Sequence, residues 1–145
     1  MNSDRRFRTP PAGWVRDQLE LIDQTGDTRS VNMQGMSVVV FEIEGAKSGL
    51  WRRIPLMRVA HDGCYAAVAS NGGAPRHPAW YHSILAHPEV TIQDGTDYHQ
   101  LRARELSGAE REQWWQRCVT AFPNYADYQA NTKREIPVFV CEPRS

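Results

Sequence analysis

Two Asp-Gly pairs between strand-like runs constrain the fold of this chain more than any other feature. Each pair, Asp62-Gly63 and Asp94-Gly95, separates two runs that are rich in β-branched and aromatic residues: 53–59 and 64–69 around the first pair, 90–93 and 98–106 around the second. An Asp-Gly pair favours the left-handed backbone of a two-residue hairpin, and hairpins join antiparallel strands. The sequence therefore predicts an antiparallel sheet and argues against a parallel, doubly wound one.

Further strand-like runs at 36–43 and 136–141 bring the expected number of strands to about six. Because the connections between the strands are short, they favour an antiparallel barrel with helices added to it. We therefore expect a mainly β protein with helices, in the α+β class.

Helical patterns account for other stretches. Apolar residues recur at helical spacing over 14–24 and stop at Gly26, which predicts an N-terminal amphipathic helix. A short helix is expected over 77–86. Ser107 followed by Glu110 has the capping-box spacing and predicts the start of a longer helix.

The composition favours one domain of ordinary size. The chain has 145 residues, 41% of them hydrophobic, so we expect a single domain over 1–145 with a flexible segment at 1–12. Its 17 basic residues balance its 17 acidic ones, which argues against a nucleic-acid partner. No apolar run approaches the roughly 18 residues of a membrane helix, so a cytoplasmic location is expected. The helix over 14–24 is a candidate for weak, peripheral contact with the inner membrane surface.

The run 69–82 is the clearest candidate for a ligand-binding turn. It joins a strand to a helix through Gly72 and Gly73, which adopt backbone conformations closed to other residues and admit a ligand without a Cβ in the way. Pro78 suits the first turn of the helix, where free N–H groups can face an anion or a carbonyl. Ser70 lacks G-x-S-x-G surroundings, so we expect it to donate a hydrogen bond and not to act as a nucleophile.

A second candidate is the loop 45–56, which carries Lys47, Arg52 and Arg53 between two strands. Turn amides, a hydroxyl group and fixed cations suit a phosphate or a carboxylate. The Walker spacing is missing and a strand follows, so this is not a P-loop. The alternative is a tight turn with solvated arginines.

Two further groups of residues have either a functional role or a purely structural one. His77, His82 and His87 are each five apart, which rotates successive rings away from one helix face, and no metal site is expected. Tyr125 and Tyr128 share one face of a short helix. They are either core residues or the wall of a ligand pocket.

Together these motifs resemble the F420-dependent nitroreductase family of deazaflavin-dependent oxidoreductases. The resemblance covers roughly residues 36–143 and is carried by 45–49, 52–56, 69–81, 122–129 and 134–138. The block A-S-N-G-G-A-P-x-H-P-x-W-Y is its most specific part. One departure lies at Glu42 to Lys47, where the family often has Thr-x-Gly-Arg-Lys.

The resemblance implies a split β-barrel of the flavin-binding type that holds coenzyme F420 in a groove. On that analogy, four residues face the cofactor's phosphate and acidic tail: Lys47, Ser48, Arg52 and Arg53. The groove and the deazaflavin ring are contacted by Pro55, Met57, Ala69, Ser70, Asn71, Gly72, Pro78, Ala79, Trp80 and Tyr81.

The implied chemistry is hydride transfer from reduced F420 to a small electrophilic acceptor such as a quinone, a nitroaromatic or an activated enone. Tyr125, Tyr128 and Ser70 are implied to orient that acceptor. Because a phenol with a pKa of about 10 is a poor acid, we expect hydrogen-bond polarisation from the tyrosines. Two alternatives stay open, an FMN-dependent split-barrel oxidoreductase and a non-catalytic carrier of F420 or another small ligand. Either a monomer or a homodimer is compatible with the sequence.

Overall fold

The computed structural model describes residues 5–33 and 35–144, and within them four helices pack on one antiparallel sheet. The helices are α1 (Trp14–Thr25), α2 (Ala79–Ala86), α3 (Gly108–Ala121) and α4 (Asn124–Ala130). α1 confirms the predicted amphipathic helix. Leu19 and Ile22 are buried on its inner face, and Gly26 ends it with a left-handed φ of 71°.

The described residues form eight strands: β1 (Asn32–Met33), β2 (Met36–Glu44), β3 (Trp51–Met57), β4 (Ala60–His61), β5 (Cys64–Val68), β6 (Glu89–Asp94), β7 (Asp97–Glu105) and β8 (Val138–Pro143). Six of them overlap the predicted runs, and the two-residue strands β1 and β4 are additional. Every paired ladder is antiparallel, as the Asp-Gly pairs predict. Asp62 and Gly63 have φ values of 52° and 77° and form the turn between β4 and β5, whereas the predicted run 53–59 pairs as β3 with β2 and not with β5. At the second pair, Asp94 is the last residue of β6 and only Gly95 is left-handed, with a φ of 64°.

The strand order is β1-β2-β6-β7-β8-β5-β4, with β3 also paired to β2. These pairings leave the sheet open, which differs from the expectation of an antiparallel barrel. The chain between β3 and β4 runs from the β2–β3 hairpin to the β5–β4 edge of the sheet. There the Arg58 amide donates to the Ser37 carbonyl at 2.9 Å, and the Val59 carbonyl accepts from the Ala66 amide at 2.9 Å. This connection brings the β2–β3 hairpin next to β5.

Helices cover both faces of the sheet. Along β2, Val38 and Val40 belong to a core formed with α1, α3 and α4, while Val39, Phe41 and Ile43 belong to a second core formed with α2. Since successive strand residues point to opposite faces, burial on both sides explains why β2 is almost continuously apolar.

Two helix starts differ from the sequence patterns. α2 begins at Ala79 and not at residue 77, because a residue before proline avoids helical backbone and Pro78 is itself extended, with ψ 156°. At the start of α3, the Ser107 side chain makes no capping hydrogen bond. Glu110 instead accepts from the Arg104 guanidinium on β7 at 2.8 and 2.9 Å. The helix therefore begins where the motif predicts, but the capping box is wrong, since its serine makes no cap bond and its carboxylate is engaged by an ion pair.

The N-terminal segment is anchored where the structure describes it, although a flexible segment was expected over 1–12. Residues 1–4 lie outside the described residues. Arg5 donates to Glu42 at 2.6 Å and to Thr91 Oγ1 at 2.9 Å, and its guanidinium lies 3.7 Å from the centre of the Trp51 ring. Phe7 forms a bridge to Trp51 at the edge of β3. Glu42, a departure from the family pattern, thus binds Arg5.

Candidate functional site

The loop after β5 has an unusual backbone. Asn71, Gly72 and Gly73 follow one another with φ values of 48°, 65° and 83°. The Gly73 amide donates to the Ser70 carbonyl at 2.9 Å, and the Ala74 amide donates to the Asn71 carbonyl at 3.1 Å. We call residues 69–77 the glycine loop. Three consecutive left-handed residues are tolerated because two are glycine and the third is asparagine.

The two glycines of this loop have different reasons to be glycine. A Cβ added at Gly72 would have no neighbouring atom within 4 Å, whereas one added at Gly73 would lie 3.0 Å from the Tyr128 carbonyl oxygen and 3.1 Å from its Cα. Gly73 therefore admits the backbone of α4 and not a ligand, which corrects the sequence interpretation for that residue. Only Gly72 faces open space in the way that interpretation requires.

One guanidinium binds three backbone carbonyls of the glycine loop. Arg134, in the segment between α4 and β8, donates to the carbonyls of Ala69 at 3.2 Å, Ser70 at 2.8 Å and Ala74 at 2.9 Å. Its Nη1 also lies 3.0 Å from Nδ1 of His77. Sequence reasoning assigned Arg134 no role, although it is part of the 134–138 motif. Its partners are mostly backbone carbonyls about 60 residues away, which leave no trace in the residue pattern.

α2 presents one buried and one half-buried ring beside this loop. Trp80 packs against Phe139 of β8 with ring centres 6.3 Å apart, so it supports the site from the core. The Tyr81 hydroxyl lies 3.3 Å from both carboxylate oxygens of Glu105. Burial, followed by the charge of Glu105, raises the pKa of Tyr81 above its usual value. Pro78 is half-buried and Ala79 is exposed.

The aromatic residues of α4 divide into a buried ring and a more accessible one. Tyr125 is 4% exposed and packs edge-on against Phe122, with ring centres 5.0 Å apart. Burial raises the pKa of Tyr125 far above its ordinary range, and its hydroxyl has no hydrogen-bond partner among the described residues. Tyr128 is half-buried at the edge of the same cluster, and its backbone meets Gly73. The structure thus brings Tyr128 to the glycine loop and places Tyr125 in the core.

The loop 45–56, which we call the cationic loop, is only partly available for a ligand. Arg53 forms a two-pronged ion pair with Asp23 of α1, at 2.8 and 3.0 Å. Ser48 Oγ accepts the Leu50 amide at 3.1 Å and so shapes the turn. Lys47 is exposed and Arg52 half-buried, and neither side chain has a hydrogen-bond or ion-pair partner among the described residues. These two cations are the ones free to meet an anion.

Pro55 and Met57, farther along β3, are buried, as are Ala69 and Ser70 at the end of β5. Asn71 is exposed, and its side-chain amide donates to the Arg76 carbonyl at 3.1 Å. Across 5–33 and 35–144, no group of three or more His, Cys, Asp or Glu side chains is placed to hold a metal. No helix in those ranges is long and apolar enough to cross a membrane.

Comparison with known proteins gives a family for this architecture. The family model described as F420H(2)-dependent quinone reductase matches residues 14–143. An F420H(2)-dependent quinone reductase from Mycobacterium tuberculosis (strain H37Rv) is 35% identical to this chain over 99 residues. The match covers 66% of this chain and 66% of that relative, just under two thirds of its length.

Two solved structures are more similar. One, described as an F420-H2 dependent reductase (FDR-A), is 53% identical with a TM-score of 0.70, and the match covers 72% of this chain and 93% of that one. The other, described as a domain-swapped dimer, is 47% identical with a TM-score of 0.73, and covers 88% of this chain and 96% of its own. The similarity therefore extends from the sequence to the tertiary structure.

Proposed function

The chain belongs to the F420H(2)-dependent quinone reductase family, and from that premise we propose that it is an F420-dependent oxidoreductase that reduces a small electrophilic acceptor. The observation that carries the proposal is the family match over 14–143, which includes both candidate loops. Bound reduced F420 supplies a hydride from the C5 position of its deazaflavin ring. The chain's own residues must bind the cofactor, orient the acceptor and exclude water.

The residues present fit such a cofactor. Gly72 leaves open space at the surface of the glycine loop, so a flat ring can approach the main chain there. Lys47 and Arg52 have no internal partner among the described residues, which suits a phosphate and an acidic tail. Arg53 contributes its charge while it stays paired with Asp23, and Ser48 acts by shaping the turn.

We assign the acceptor contacts to Ser70 and Tyr128 and a supporting role to Tyr125. Tyr128 is half-buried next to Gly73, so its phenol belongs to the part of α4 that borders the loop. Tyr125 is buried and packs against Phe122, which suits a residue that holds α4 in place. Quinones, nitroaromatics and activated enones are the acceptor classes, polarised by hydrogen bonds from these hydroxyl groups.

Three finer expectations belong to the same proposal. The sheet is open, and residues 58–59 connect its β2–β3 hairpin with β5. This arrangement is the frame of a split barrel within a single domain over 1–145. The protein acts in the cytoplasm as a monomer or a homodimer. Trp14, with 61% of its surface exposed, and Leu21, with 41%, are the residues of α1 that would rest on a membrane surface.

A parallel titration with F420 and FMN tests the cofactor assignment. We expect saturable binding of F420, no retained yellow chromophore, and loss of reduced-F420 absorbance on addition of a naphthoquinone. Saturable binding without turnover on a quinone, a nitroaromatic or an enone would instead identify a carrier. Tight retention of FMN without F420 binding would identify the flavin enzyme.

Arg52→Ala and Arg53→Ala form a matched pair for the cationic loop. Arg52 has no partner to lose, so Arg52→Ala should weaken F420 binding about tenfold with little change in the free energy of unfolding. Arg53→Ala also removes the ion pair with Asp23, one of the contacts between β3 and α1. If Arg52→Ala leaves the Kd for F420 unchanged, the cationic loop does not bind the cofactor.

A further inference from the structure

His77 has a hydrogen bond that determines its protonation. Its Nδ1 lies 3.0 Å from Nη1 of Arg134. A guanidinium has only donors, so Nδ1 must be the acceptor in this contact. An imidazole whose Nδ1 accepts is neutral and carries its proton on Nε2. The geometry therefore selects one of the two neutral tautomers of His77 and excludes the imidazolium.

Two further contacts hold the ring in place. The His77 ring stacks on Tyr81 of α2, with centres 4.2 Å apart and planes at 29°. Pro78 follows directly and restricts the His77 backbone to extended conformations. Among the described residues, Nε2 has no hydrogen-bond partner. His77 is thus an oriented N–H donor that no described group of the protein pairs with.

The charged and titratable groups around His77 come from three elements. They are Arg134 from the segment before β8, His82 and Tyr81 from α2, and Glu105 from β7. Burial, followed by the charges of Arg134 and His82, lowers the pKa of His77, and Glu105 opposes this effect. The ring is therefore neutral at neutral pH, in agreement with the hydrogen bond to Arg134.

We propose that His77 is a cofactor-binding residue that donates a hydrogen bond from Nε2–H to a carbonyl oxygen of the deazaflavin ring, and that Arg134 positions it. This inference rests on the proposed function. Arg134 fixes the tautomer of His77 and, with the same guanidinium, holds the carbonyls of Ala69, Ser70 and Ala74. The donor and the glycine loop that carries Gly72 are consequently positioned as one unit. An oriented donor with no internal partner binds a carbonyl without the cost of ordering its side chain.

Two conservative substitutions separate the two ring nitrogens. Asn places its amide oxygen where Nδ1 of His lies, so His77→Asn keeps an acceptor for Arg134 and loses the Nε2 donor. Gln places its amide at the position of Nε2, so His77→Gln restores a donor there and loses the acceptor for Arg134. We expect about fivefold to tenfold weaker F420 binding in His77→Asn and partial recovery in His77→Gln. Both variants lose the stacking on Tyr81, so the midpoint of urea unfolding should fall slightly in His77→Asn as well as in His77→Gln.

Nitrogen-15 NMR of the histidine side chains measures the tautomer of His77 in the protein without any cofactor. In the wild-type protein we expect the Nε2-protonated form for His77 and titration only at a pH below that of an ordinary histidine. In Arg134→Lys, which lacks the planar fork, the ring should become a mixture of tautomers and F420 binding should weaken as well.

An Nδ1-protonated ring, or an ordinary titration, overturns the inference even when the wild-type protein binds F420 well. Equal F420 affinity in wild type and His77→Asn removes the donor role. Absence of F420 binding by the wild-type protein overturns the proposed function and, with it, the donor role. The tautomer measurement then still shows whether Arg134 controls His77.

Discussion

Substituting Ala at Gly73 and, as a matched control, at Gly72 tests whether α4 is seated on the glycine loop by direct backbone contact. The two residues are adjacent and both have left-handed φ values, 83° and 65°. They differ in their surroundings, because only a Cβ at Gly73 would meet the Tyr128 backbone, at 3.0 Å from its oxygen and 3.1 Å from its Cα. The control therefore carries the conformational penalty without the steric one.

The expected magnitudes follow from these two terms. A non-glycine residue in the left-handed region costs about 1–2 kcal/mol, and this is the whole cost for Gly72→Ala. Forcing a methyl group into contact with rigid backbone adds about 1–3 kcal/mol for Gly73→Ala. Gly73→Ala should thus be the less stable variant by about 1–3 kcal/mol, or by roughly 3–9 °C in Tm for a chain of this size.

Urea unfolding of both variants measures this difference, and F420 titration measures its effect on the site. Because the clash displaces α4, Gly73→Ala should also lower turnover through Tyr128. Gly72→Ala places its methyl group in open space, so it should weaken F420 binding with the smaller loss of stability. Equal destabilisation by the two substitutions would refute the claim that Gly73 is glycine because of α4.

Two further outcomes follow from buried polar contacts. The Arg5–Glu42 pair is 2.6 Å long with side chains only 7% and 10% exposed, so Glu42→Leu should cost about 3 kcal/mol by leaving a buried charge, and Arg5→Met/Glu42→Leu should recover much of that. Additive effects of Arg5→Met and Glu42→Leu in a double-mutant cycle by urea unfolding would contradict the coupling. The Tyr65 hydroxyl donates to Asp94 at 2.6 Å, and burial with this bond raises the pKa of Tyr65 to about 12. The folded-state pKa is above the unfolded one, so this stabilisation is complete below about pH 10 and is lost as the pH rises to about 12. Over that interval Tyr65→Phe should lose less stability than wild type in urea unfolding, and parallel losses would contradict the assignment.

Local features of the fold were predictable from the sequence because each depends on neighbouring residues. Asp62-Gly63 and Gly95 form left-handed turns because of their own backbone preferences, and Gly26 ends α1 for the same reason. The capping box at Ser107 failed because Glu110 has a competing partner, Arg104, on another element. A motif of four residues contains no information about that competitor.

The same distinction between neighbouring and distant residues applies to the candidate site. The sequence by itself determined where the two loops lie and that one is glycine-rich and the other cationic, since these are properties of composition. Only the tertiary structure decided which residues are free to act. Arg53 is paired with α1, Tyr125 is in the core, and Gly73 faces α4, whereas Arg134 holds the glycine loop and orients His77 within it. The physical reason is that the hydrogen bonds and the burial of a side chain depend on residues distant in sequence. The same side chain is therefore free or engaged according to which residues the fold places beside it.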